Sequence, residues 1–257
     1  MERLLKEERQ QRILEVLQEH KRVTVPELSQ RFGISEVTIR RDLHELAESG
    51  KLHRAHRGAI EVAPAPPEPP VVQRMVSEQE LKERIAREAA RLVQDGSTVF
   101  IGSGSTTTLL ARLLLSRRRL TVVTNAINIA VDLSAAEGDL TVVVTGGVLR
   151  KSELSVLGHI AEQSLTEVRV DKVIMGVQAL SIEDGWTTDH MPEVSTTRRI
   201  LAMARELIIL ADHTKLGRKA AAFIAPLSRI TTLVTNPQAD PLFLNRARAM
   251  GIEVIES

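Results

Sequence analysis

Several residue types are absent or scarce in this 257-residue chain, and each absence excludes a class of function. It has no cysteine, which excludes disulfide bonds, thiolate metal sites and thiol catalysis. Four phenylalanines, one tryptophan and no tyrosine argue against single-strand nucleic-acid binding by base stacking. Aliphatic side chains must therefore fill the core.

Long apolar runs and a strong charge of one sign are lacking as well. No stretch approaches membrane-spanning length, and the charged start MERLLKEERQQR is unlike a signal peptide. We therefore expect a soluble, cytoplasmic protein with no membrane partner. The formal net charge is only +1, so any basic surface must be local.

Proline is concentrated in one place. Five of the ten prolines lie in APAPPEPPVVQ, residues 63–73, a composition that favours extended polyproline conformation. We predict a semi-rigid linker at residues 63–76, between a small domain at 1–62 and a larger one at 77–257. A proline-rich surface loop within one domain is the alternative.

The small domain has a helix-turn-helix pattern. In ERQQRILEVLQEHKRV the apolar residues are spaced for one helix face, and a short helix starting near Pro26 stops at Gly33. A third helix, SEVTIRRDLHELAES, follows. Its stripe of Ile39, Leu43 and Leu46 should face the core.

The opposite face of the third helix suits contacts with DNA. Arginine can bind guanine edges or phosphates, threonine can reach a base or a phosphate, and valine can touch a thymine methyl. With the serine that can cap this helix, the candidate DNA-binding residues are Ser35, Val37, Thr38, Arg40, Arg41 and His44. A solvated helix carrying two arginines is the alternative.

A basic segment, SGKLHRAHRGAI at residues 49–60, follows and contains no acid. Its short strands and glycines suggest a β-hairpin wing, which could lie along the DNA backbone or in a minor groove. Lys51, Arg54, His56 and Arg57 join the DNA-binding candidates.

The chain from RQQRILEVL to HRAHRGAI resembles the N-terminal domain of DeoR-type bacterial transcription regulators. The specific part is SEVTIRRDLHELAESGKLHRAHRGA, because that family typically shows a serine, a threonine, Ile-Arg-Arg-Asp-Leu and then a basic wing. Arg57 stands where the family usually has glycine, which would stiffen the wing tip or add a phosphate contact. The resemblance implies a winged helix-turn-helix that binds double-stranded operator DNA.

The larger domain alternates helices with apolar strands. An amphipathic helix in SEQELKERIAREAARLVQDG, with Leu81, Ile85, Ala89 and Leu92 inward, precedes them. Strands are predicted at 98–101, 120–124, 140–145, 171–176, 207–211, 231–235 and 252–255. Because several are Val/Ile-rich with little alternation, they are typical of parallel strands covered on both faces. This predicts a doubly wound, mostly parallel α/β domain whose ligands bind beyond the strands' carboxyl ends.

Polar residues near these strand ends are the candidates for a ligand site. After the first strand, GSGSTTT offers an anion close backbone approach, hydroxyl donors and a helix N-terminus. It is neither a Walker loop nor a full GxGxxG fingerprint. The effector-binding candidates are Gly102, Ser103, Gly104, Ser105, Thr106, Thr107, Asn125, Gly146, Gly147, Arg150, Asp171, Asp212 and Lys215. A structural turn, a helix cap or a surface ion pair are the alternatives for individual members.

GSGSTT, TNAINIA, TGGVLRKSELSVLG, VDKVIMGVQALSIEDGWTT and LADHTKLGRKAAAF together resemble the DeoR-type sensor domain. That domain is similar in fold and loop placement to ribose-5-phosphate isomerases. Those enzymes have an acidic Asp-Gly-Ala-Asp-Glu cluster and a later lysine beside a glycine-rich turn. Here only Asp171 remains in the first segment, and the second, EDGWTTDHMPEVSTTRR, has no lysine, although Glu183, Asp184, Asp189 and Glu193 are carboxylates.

Two functions compete on these grounds. The first is a sequence-specific transcription regulator, by family default a repressor of a carbohydrate catabolic operon, controlled by a phosphorylated sugar and acting as a dimer or tetramer. The second is a sugar-phosphate isomerase with an added DNA-binding domain. The loss of most of the acidic cluster and of the lysine favours the first function. We therefore predict no catalytic residues, no metal site and no cofactor.

Overall fold

The computed structural model describes residues 5–20, 22–48, 52–55, 58–60 and 63–257. The chain divides into two compact units, Met1–Ala63 and Pro64–Ser257. Among the described residues, no helix combines the length and hydrophobicity needed to cross a bilayer.

The first unit is a winged helix-turn-helix, as predicted. Its elements are α1 (Lys6–His20), β1 (Arg22–Thr24), α2 (Val25–Phe32), α3 (Glu36–Glu48), β2 (His53–Ala55) and β3 (Gly58–Ile60). The strands form an antiparallel sheet in the order β1-β3-β2, so β2 and β3 are the two arms of the wing.

Local side-chain contacts explain why α2 begins and ends where it does. Thr24 and Glu27 form a capping box, in which the Thr24 hydroxyl accepts from the Glu27 amide and the Glu27 carboxylate accepts from the Thr24 amide. Gly33 closes the helix in the left-handed conformation, with φ of 65°. The Ser35 hydroxyl then accepts the Thr38 amide at 3.3 Å, as expected for a residue that caps α3.

The second unit contains the rest of the chain. Its helices are α4 (Val71–Val76), α5 (Gln79–Arg91), α6 (Ser105–Leu113), α7 (Ile127–Ser134), α8 (His159–Ser164), α9 (Val194–Leu201) and α10 (Pro241–Ala249), with 3₁₀ turns at Met191–Glu193, His213–Lys215 and Leu227–Arg229. Its strands are β5 (Thr98–Ile101), β6 (Leu120–Thr124), β7 (Leu140–Val144), β8 (Val148–Arg150), β9 (Ser155–Leu157), β10 (Lys172–Gly176), β11 (Ala179–Ser181), β12 (Gly185–Thr188), β13 (Glu206–Leu210), β14 (Arg218–Lys219), β15 (Ala222–Ala225), β16 (Thr232–Thr235) and β17 (Glu253–Glu256). A further short strand, β4 (Ala63–Pro64), lies at the boundary of the units.

A seven-stranded parallel sheet organises this unit. Its order is β17-β16-β13-β10-β5-β6-β7, and every ladder in it is parallel. These are the seven strands predicted from the apolar segments. Because the chain runs outward from β5 in one direction and then from β10 in the other, the strand order reverses between β5 and β10. In a doubly wound sheet the ligand crevice lies at that reversal, outside the carboxyl ends of the strands.

Both faces of the sheet are buried at its central strands, which is why these strands read as nearly continuous apolar runs. Phe100 packs in the core on one face, whereas its neighbours Val99 and Ile101 pack in the core on the other. Ile208 and Ile209 divide between the two cores in the same way. Successive side chains of a strand point to opposite faces, so a strand covered twice must be apolar at every position.

The proline-rich segment differs from the prediction. Residues 64–76 belong to the second unit. The Ala65 amide donates to the Lys219 carbonyl at 2.7 Å, the Val71 amide donates to the Ser152 carbonyl at 2.7 Å, and Val71 is fully buried. The prediction of a linker over 63–76, separate from both domains, is therefore corrected: the prolines fix φ, but the N–H groups of Ala65 and Val71 bond to the second unit.

Candidate functional site

The outer face of α3 presents the residues predicted to contact DNA. Val37 is 77% exposed, and Arg40, Arg41 and His44 are also exposed, whereas Thr38 is half-buried. The inner stripe of Ile39, Leu43 and Leu46 is buried, as the periodicity predicts. Among the described residues, Arg40 and Arg41 form surface ion pairs within the helix, to Glu36 at 3.2 Å and to Glu45 at 3.5 Å. Such pairs are weak, so both guanidinium groups are accessible to DNA.

A buried ion pair, which we did not predict, orients α3. Asp42 is 2% exposed and accepts two hydrogen bonds from Arg9 of α1, from Nε at 2.5 Å and from Nη2 at 3.0 Å. The hydrogen bond to Asp42 raises the pKa of Arg9. Asp42 lies three residues after Ile39 on the helix, so its place beside the buried stripe was a signal in the sequence.

A second contact joins the same two helices. Glu45 of α3 accepts from Lys6 at 2.7 Å and from Gln10 at 2.8 Å, both in α1. The hydrogen bond from Lys6 is the main cause that lowers the pKa of Glu45. Together with the Asp42 pair, it sets the angle at which α3 presents its outer face.

The two strands of the wing, β2 and β3, contain one of the predicted DNA-binding residues. Arg54 lies in β2, on the outer side of the β1-β3-β2 sheet order. Lys51, His56 and Arg57 lie outside the described residues.

A cavity of about 240 Å³ opens in the second unit at the reversal of strand order. Four of the segments that line it follow the carboxyl ends of β5, β6, β10 and β13. Of the predicted effector-binding residues, the structure brings eight together around it: Ser103, Gly104, Ser105, Thr106, Asn125, Arg150, Asp212 and Lys215.

The N-terminus of α6 forms one end of this cavity. Gly104 precedes the helix with φ of 150° and has no side chain to cap it. The first N–H groups of a helix have no acceptor within the helix, so those of α6 remain directed toward the cavity end. The hydroxyls of Thr107 and Thr108 are turned inward and donate to the Gly104 carbonyl at 3.0 and 2.7 Å. They fix the loop and leave Ser105 and Thr106 to face the cavity.

Two predicted members of the loop shape it without lining the cavity. Thr107 is fully buried. Gly102 lies against Met175, where a Cβ atom would be 2.1 Å from the methionine sulfur. A larger residue at position 102 would displace the Met175 side chain, which itself lines the cavity.

Asn125 has an unused acceptor at the cavity wall. Its Nδ2 donates to the Val156 carbonyl at 3.3 Å, and the residue is 7% exposed. Its Oδ1 is buried and has no hydrogen-bond partner within the described part of the chain. An unsatisfied buried acceptor in a polar cavity is suited to a ligand hydroxyl.

Four cationic side chains line the cavity, of which the sequence indicated only Arg150 and Lys215. Arg150 is paired with Glu193, and Lys215 with Glu68. The other two are Arg74 of α4 and Lys82 of α5. The cavity is thus rich in charges of both signs.

Lys82 is the most deeply buried of these cations. It is 5% exposed, and its Nζ donates to the Arg74 carbonyl at 2.6 Å, to the Ser77 carbonyl and to the Ser77 hydroxyl at 3.2 Å. Burial lowers the pKa of Lys82, and the charges of Arg74 and Lys215 add to this effect, whereas Asp212 opposes it. Its neighbour in α5, Leu81, which the sequence predicted to face inward, is only half-buried.

Two carboxylates at the cavity differ in their surroundings. Asp212 is 6% exposed and caps the His213–Lys215 turn by accepting from the Thr214 amide at 2.9 Å. Glu153 is 5% exposed, and burial raises its pKa although the nearby Arg74 acts in the opposite direction. One of its oxygens, Oε1, has no hydrogen-bond partner among the described residues.

Three predicted effector-binding residues lie away from the cavity. Asp171 stands at the opposite, amino edge of the sheet, where it exchanges hydrogen bonds with the backbone of Thr98 at 2.8 Å. It precedes β10, and only residues that follow a parallel strand reach the carboxyl edge. A Cβ atom added to Gly146 would lie 3.0 Å from the Ile160 side chain. A Cβ atom added to Gly147 would lie 2.6 Å from the Leu157 carbonyl oxygen. The two glycines therefore allow the β8–β9 hairpin to pack closely.

The carboxyl end of β10 carries no acid. Met175, Gly176, Val177 and Gln178 line the cavity there. Of the later carboxylates, Glu193 lines the cavity, where it is bound to Arg150 and accepts from the Thr188 hydroxyl at 2.6 Å. The others are held elsewhere by ion pairs or hydrogen bonds: Glu183 by Arg246, Asp184 by Lys219 and Asp189 by Gln178. Among the described residues, no group of three or more potential ligands is placed to hold a metal ion.

Family comparisons match both units of the chain. Residues 9–64 match the DeoR-like helix-turn-helix domain, and residues 77–237 match the DeoR C-terminal sensor domain. The chain belongs to the DeoR family of transcription regulators. The first unit of this DeoR-family protein is accordingly its DNA-binding domain, and the cavity lies in its sensor domain.

Curated relatives cover nearly the whole chain. A putative aga operon transcriptional repressor of Escherichia coli O157:H7 is 34% identical over 250 residues, covering 96% of this chain and 93% of that protein. The glycerol-3-phosphate regulon repressor of Escherichia coli K12 is 33% identical and covers 87% and 88%. The regulator GlpR of Haloferax volcanii is 32% identical and covers 98% of both.

Solved structures show more distant similarity. Ribose 5-phosphate isomerase A of Methanocaldococcus jannaschii is 22% identical, with 55% of each chain covered and a TM-score of 0.40. A probable sor operon regulator of Shigella flexneri is 14% identical, with 80% of this chain and 97% of that chain covered and a TM-score of 0.43.

Proposed function

We propose that this protein is a cytoplasmic repressor of a carbohydrate catabolic operon, whose affinity for operator DNA is controlled by a phosphorylated sugar. The observation that carries the proposal is the cavity at the strand-order reversal, with a helix N-terminus at one end and cations within it. The names of two relatives, an aga operon repressor and a glycerol-3-phosphate regulon repressor, support it.

The α6 end of the cavity suits the phosphate group. Its backbone N–H groups and the helix dipole favour an anion, and the hydroxyls of Ser105 and Thr106 add donors. The loop GSGSTTT contains no lysine of the kind that a Walker loop places on the phosphates of a nucleoside triphosphate, so it does not favour that ligand.

The far wall suits sugar hydroxyls. Asn125 supplies an unsatisfied acceptor, while Asp212 and Glu193 are carboxylates that accept from hydroxyl groups. Arg150 and Lys215 can donate to the ring or carbonyl oxygens. Effector binding alters DNA affinity only to the extent that the effector binds the two functional arrangements of the protein differently.

On the DNA side, α3 enters the major groove and the wing contacts the backbone. Helix-turn-helix proteins usually read two half-sites as dimers, so we propose a homo-oligomer, a dimer or tetramer. The direct test is operator affinity measured by gel shift or fluorescence anisotropy across a panel of phosphorylated sugars. If no sugar phosphate changes that affinity, the sensor role is contradicted.

The double variant Ser105→Ala/Thr106→Ala should weaken binding of the effector while sparing DNA binding. Removing two hydroxyl donors to a charged phosphate should reduce affinity by about tenfold or more. Calorimetric titration with the sugar phosphate identified by the panel measures this. Operator affinity in the absence of effector is the control and should match that of the wild type.

The variant Arg41→Ala should show the reverse pattern. Its guanidinium is 79% exposed and weakly paired, so its loss removes a DNA contact without disturbing the core. We expect operator affinity to fall by about tenfold, within the 1–3 kcal/mol typical of a base-contacting arginine. Effector affinity should be unchanged. An unaltered operator affinity, measured at the same salt concentration, would show that Arg41 does not contact the DNA.

A sugar-phosphate isomerase is the second candidate, and the carboxyl end of β10 argues against it. Isomerisation needs a base that moves a proton between adjacent carbons, yet the β10 end offers Met175 and Gln178. Glu193, the carboxylate from the later segment, is already held by Arg150. Robust ketose formation from aldose phosphates by the purified protein would reverse this choice.

A further inference from the structure

Glu68, in the middle of the proline-rich segment, places its carboxylate inside the sensor cavity. It binds Lys215 and, at 3.3 Å, Arg74, and its side chain is only 14% exposed. These two cations come from opposite parts of the unit, the His213–Lys215 turn and α4. The protein thus supplies one of its own anions to a cavity whose chemistry suits an incoming anion.

The two cations depend on Glu68 to different extents. Arg74 is also bound to Glu153 and donates from Nε to the Pro69 carbonyl at 2.9 Å. Lys215, in contrast, has Glu68 as its ion-pair partner among the described residues. An anionic ligand that pairs with Lys215 therefore removes one of the two ion pairs that hold Glu68.

The backbone around Glu68 is stiff. Pro66 and Pro67 precede it and Pro69 and Pro70 follow it. Because proline fixes φ, this segment moves as a semi-rigid strap. Its ends are held by the Ala65 amide on Lys219 and the Val71 amide on Ser152. Residue 64 directly follows the first unit, so the strap is the first segment of the second unit.

We propose that Glu68 is an internal competitor of the effector and sets the specificity of the cavity for strongly charged anions. The phosphorylated ligand displaces the Glu68 carboxylate from Lys215, and the strap of residues 64–70 loosens. An unphosphorylated sugar does not carry enough charge to replace a carboxylate. This inference rests on the proposed function, because it requires that the cavity bind a phosphate group.

The test uses inorganic phosphate as the probe and the full chain. Trp186 is the single tryptophan and lines the cavity, so its fluorescence reports occupancy, with calorimetry as a second measurement. The variant Glu68→Gln keeps the shape and removes the charge. We expect it to bind phosphate at least about fivefold more tightly than the wild type, because removing a like charge from an anion site favours the anion.

Glu206→Gln is the matched control. Glu206 also forms an ion pair with a lysine, Lys172, but at the amino edge of the sheet. It should bind phosphate as the wild type does. Glu68→Asp is the second variant, since it retains the charge and guards against a folding defect in the glutamine variant. Its shorter side chain should give an affinity between those of the wild type and Glu68→Gln.

Hydrogen exchange tests whether phosphate displaces the Glu68 carboxylate from Lys215 or is only repelled by it. In the wild type, saturating phosphate should accelerate exchange of the Ala65 and Val71 amides, and Glu68→Gln should show that faster exchange without phosphate. If the wild type binds phosphate but Glu68→Gln binds it equally or more weakly with these amides unchanged, the inference is overturned and the proposed function stands. If neither protein binds phosphate, the inference is overturned, and the panel of phosphorylated sugars decides the proposed function.

Discussion

Replacing Asp42 by alanine should lower the free energy of unfolding of the DNA-binding domain by about 3 kcal/mol. Asp42 is 2% exposed, and the Arg9 side chain that it binds is 12% exposed. The substitution removes the buried carboxylate of this ion pair, and breaking a buried pair costs far more than a surface pair contributes. Because the pair joins α1 to α3, operator affinity should fall as well.

The measurement is native-state hydrogen exchange in the full chain, followed at the Ile39 and Leu43 amides of α3. Glu36→Ala is the matched control, because it also removes the acidic partner of an arginine, Arg40, but both side chains of that pair are 48% exposed. It should change exchange little. Equal effects of the two substitutions would show that the Asp42 pair does not hold the helices together.

Replacing Lys82 by methionine should reduce phosphate affinity of the sensor domain by about tenfold or more. Lys82 lines the cavity and is the cation most withdrawn from solvent. In such surroundings its charge is poorly screened, so its attraction for an anion is strong. The methionine fills a similar volume without charge. Lys172→Met, which removes a lysine from the amino edge of the sheet, is the control and should leave phosphate affinity unchanged.

The same substitution should change the pH dependence of stability. Burial lowers the pKa of Lys82 in the folded protein, so between that pKa and the ordinary lysine value of about 10.4 the unfolded chain binds more protons. Lys82 therefore makes the free energy of unfolding rise with pH across this window, and below it the buried charge costs its full desolvation energy.

Urea unfolding of the sensor domain, followed by Trp186 fluorescence in the full chain, measures this dependence. Subtracting the Lys82→Met curve from the wild-type curve should leave a difference that grows with pH through the window. A flat difference would show that Lys82 titrates as an exposed lysine does.

The folds of both units followed from local patterns in the sequence. The apolar stripe of α3, the stop at Gly33 and the wing segment indicated the first unit. The seven apolar segments indicated the parallel sheet, because a strand buried on both faces must be apolar throughout. Glycines and hydroxyls after the first of those strands pointed to the α6 end of the cavity.

The composition of the cavity was only partly visible. Ser103 to Thr106, Asn125, Arg150, Asp212 and Lys215 follow strands, and strand ends converge in this fold. Asp171 was misplaced because it precedes its strand by one residue, which puts it at the opposite edge. The sequence did not indicate Lys82 and Arg74 because they lie in helices, where a cation is ordinarily a solvated surface residue.

By itself, the sequence determined the classes of the two domains, the strands of the sheet and the loop that faces an anion, because hydrophobic periodicity and glycine placement act over a few neighbouring residues. The tertiary structure alone decided which charges meet. Glu68 reaches Lys215 across 147 positions of sequence, and Arg9 reaches Asp42 across 33. Such pairs are chosen by packing, since a side chain's partner depends on which elements lie against one another and not on the residues beside it in the chain.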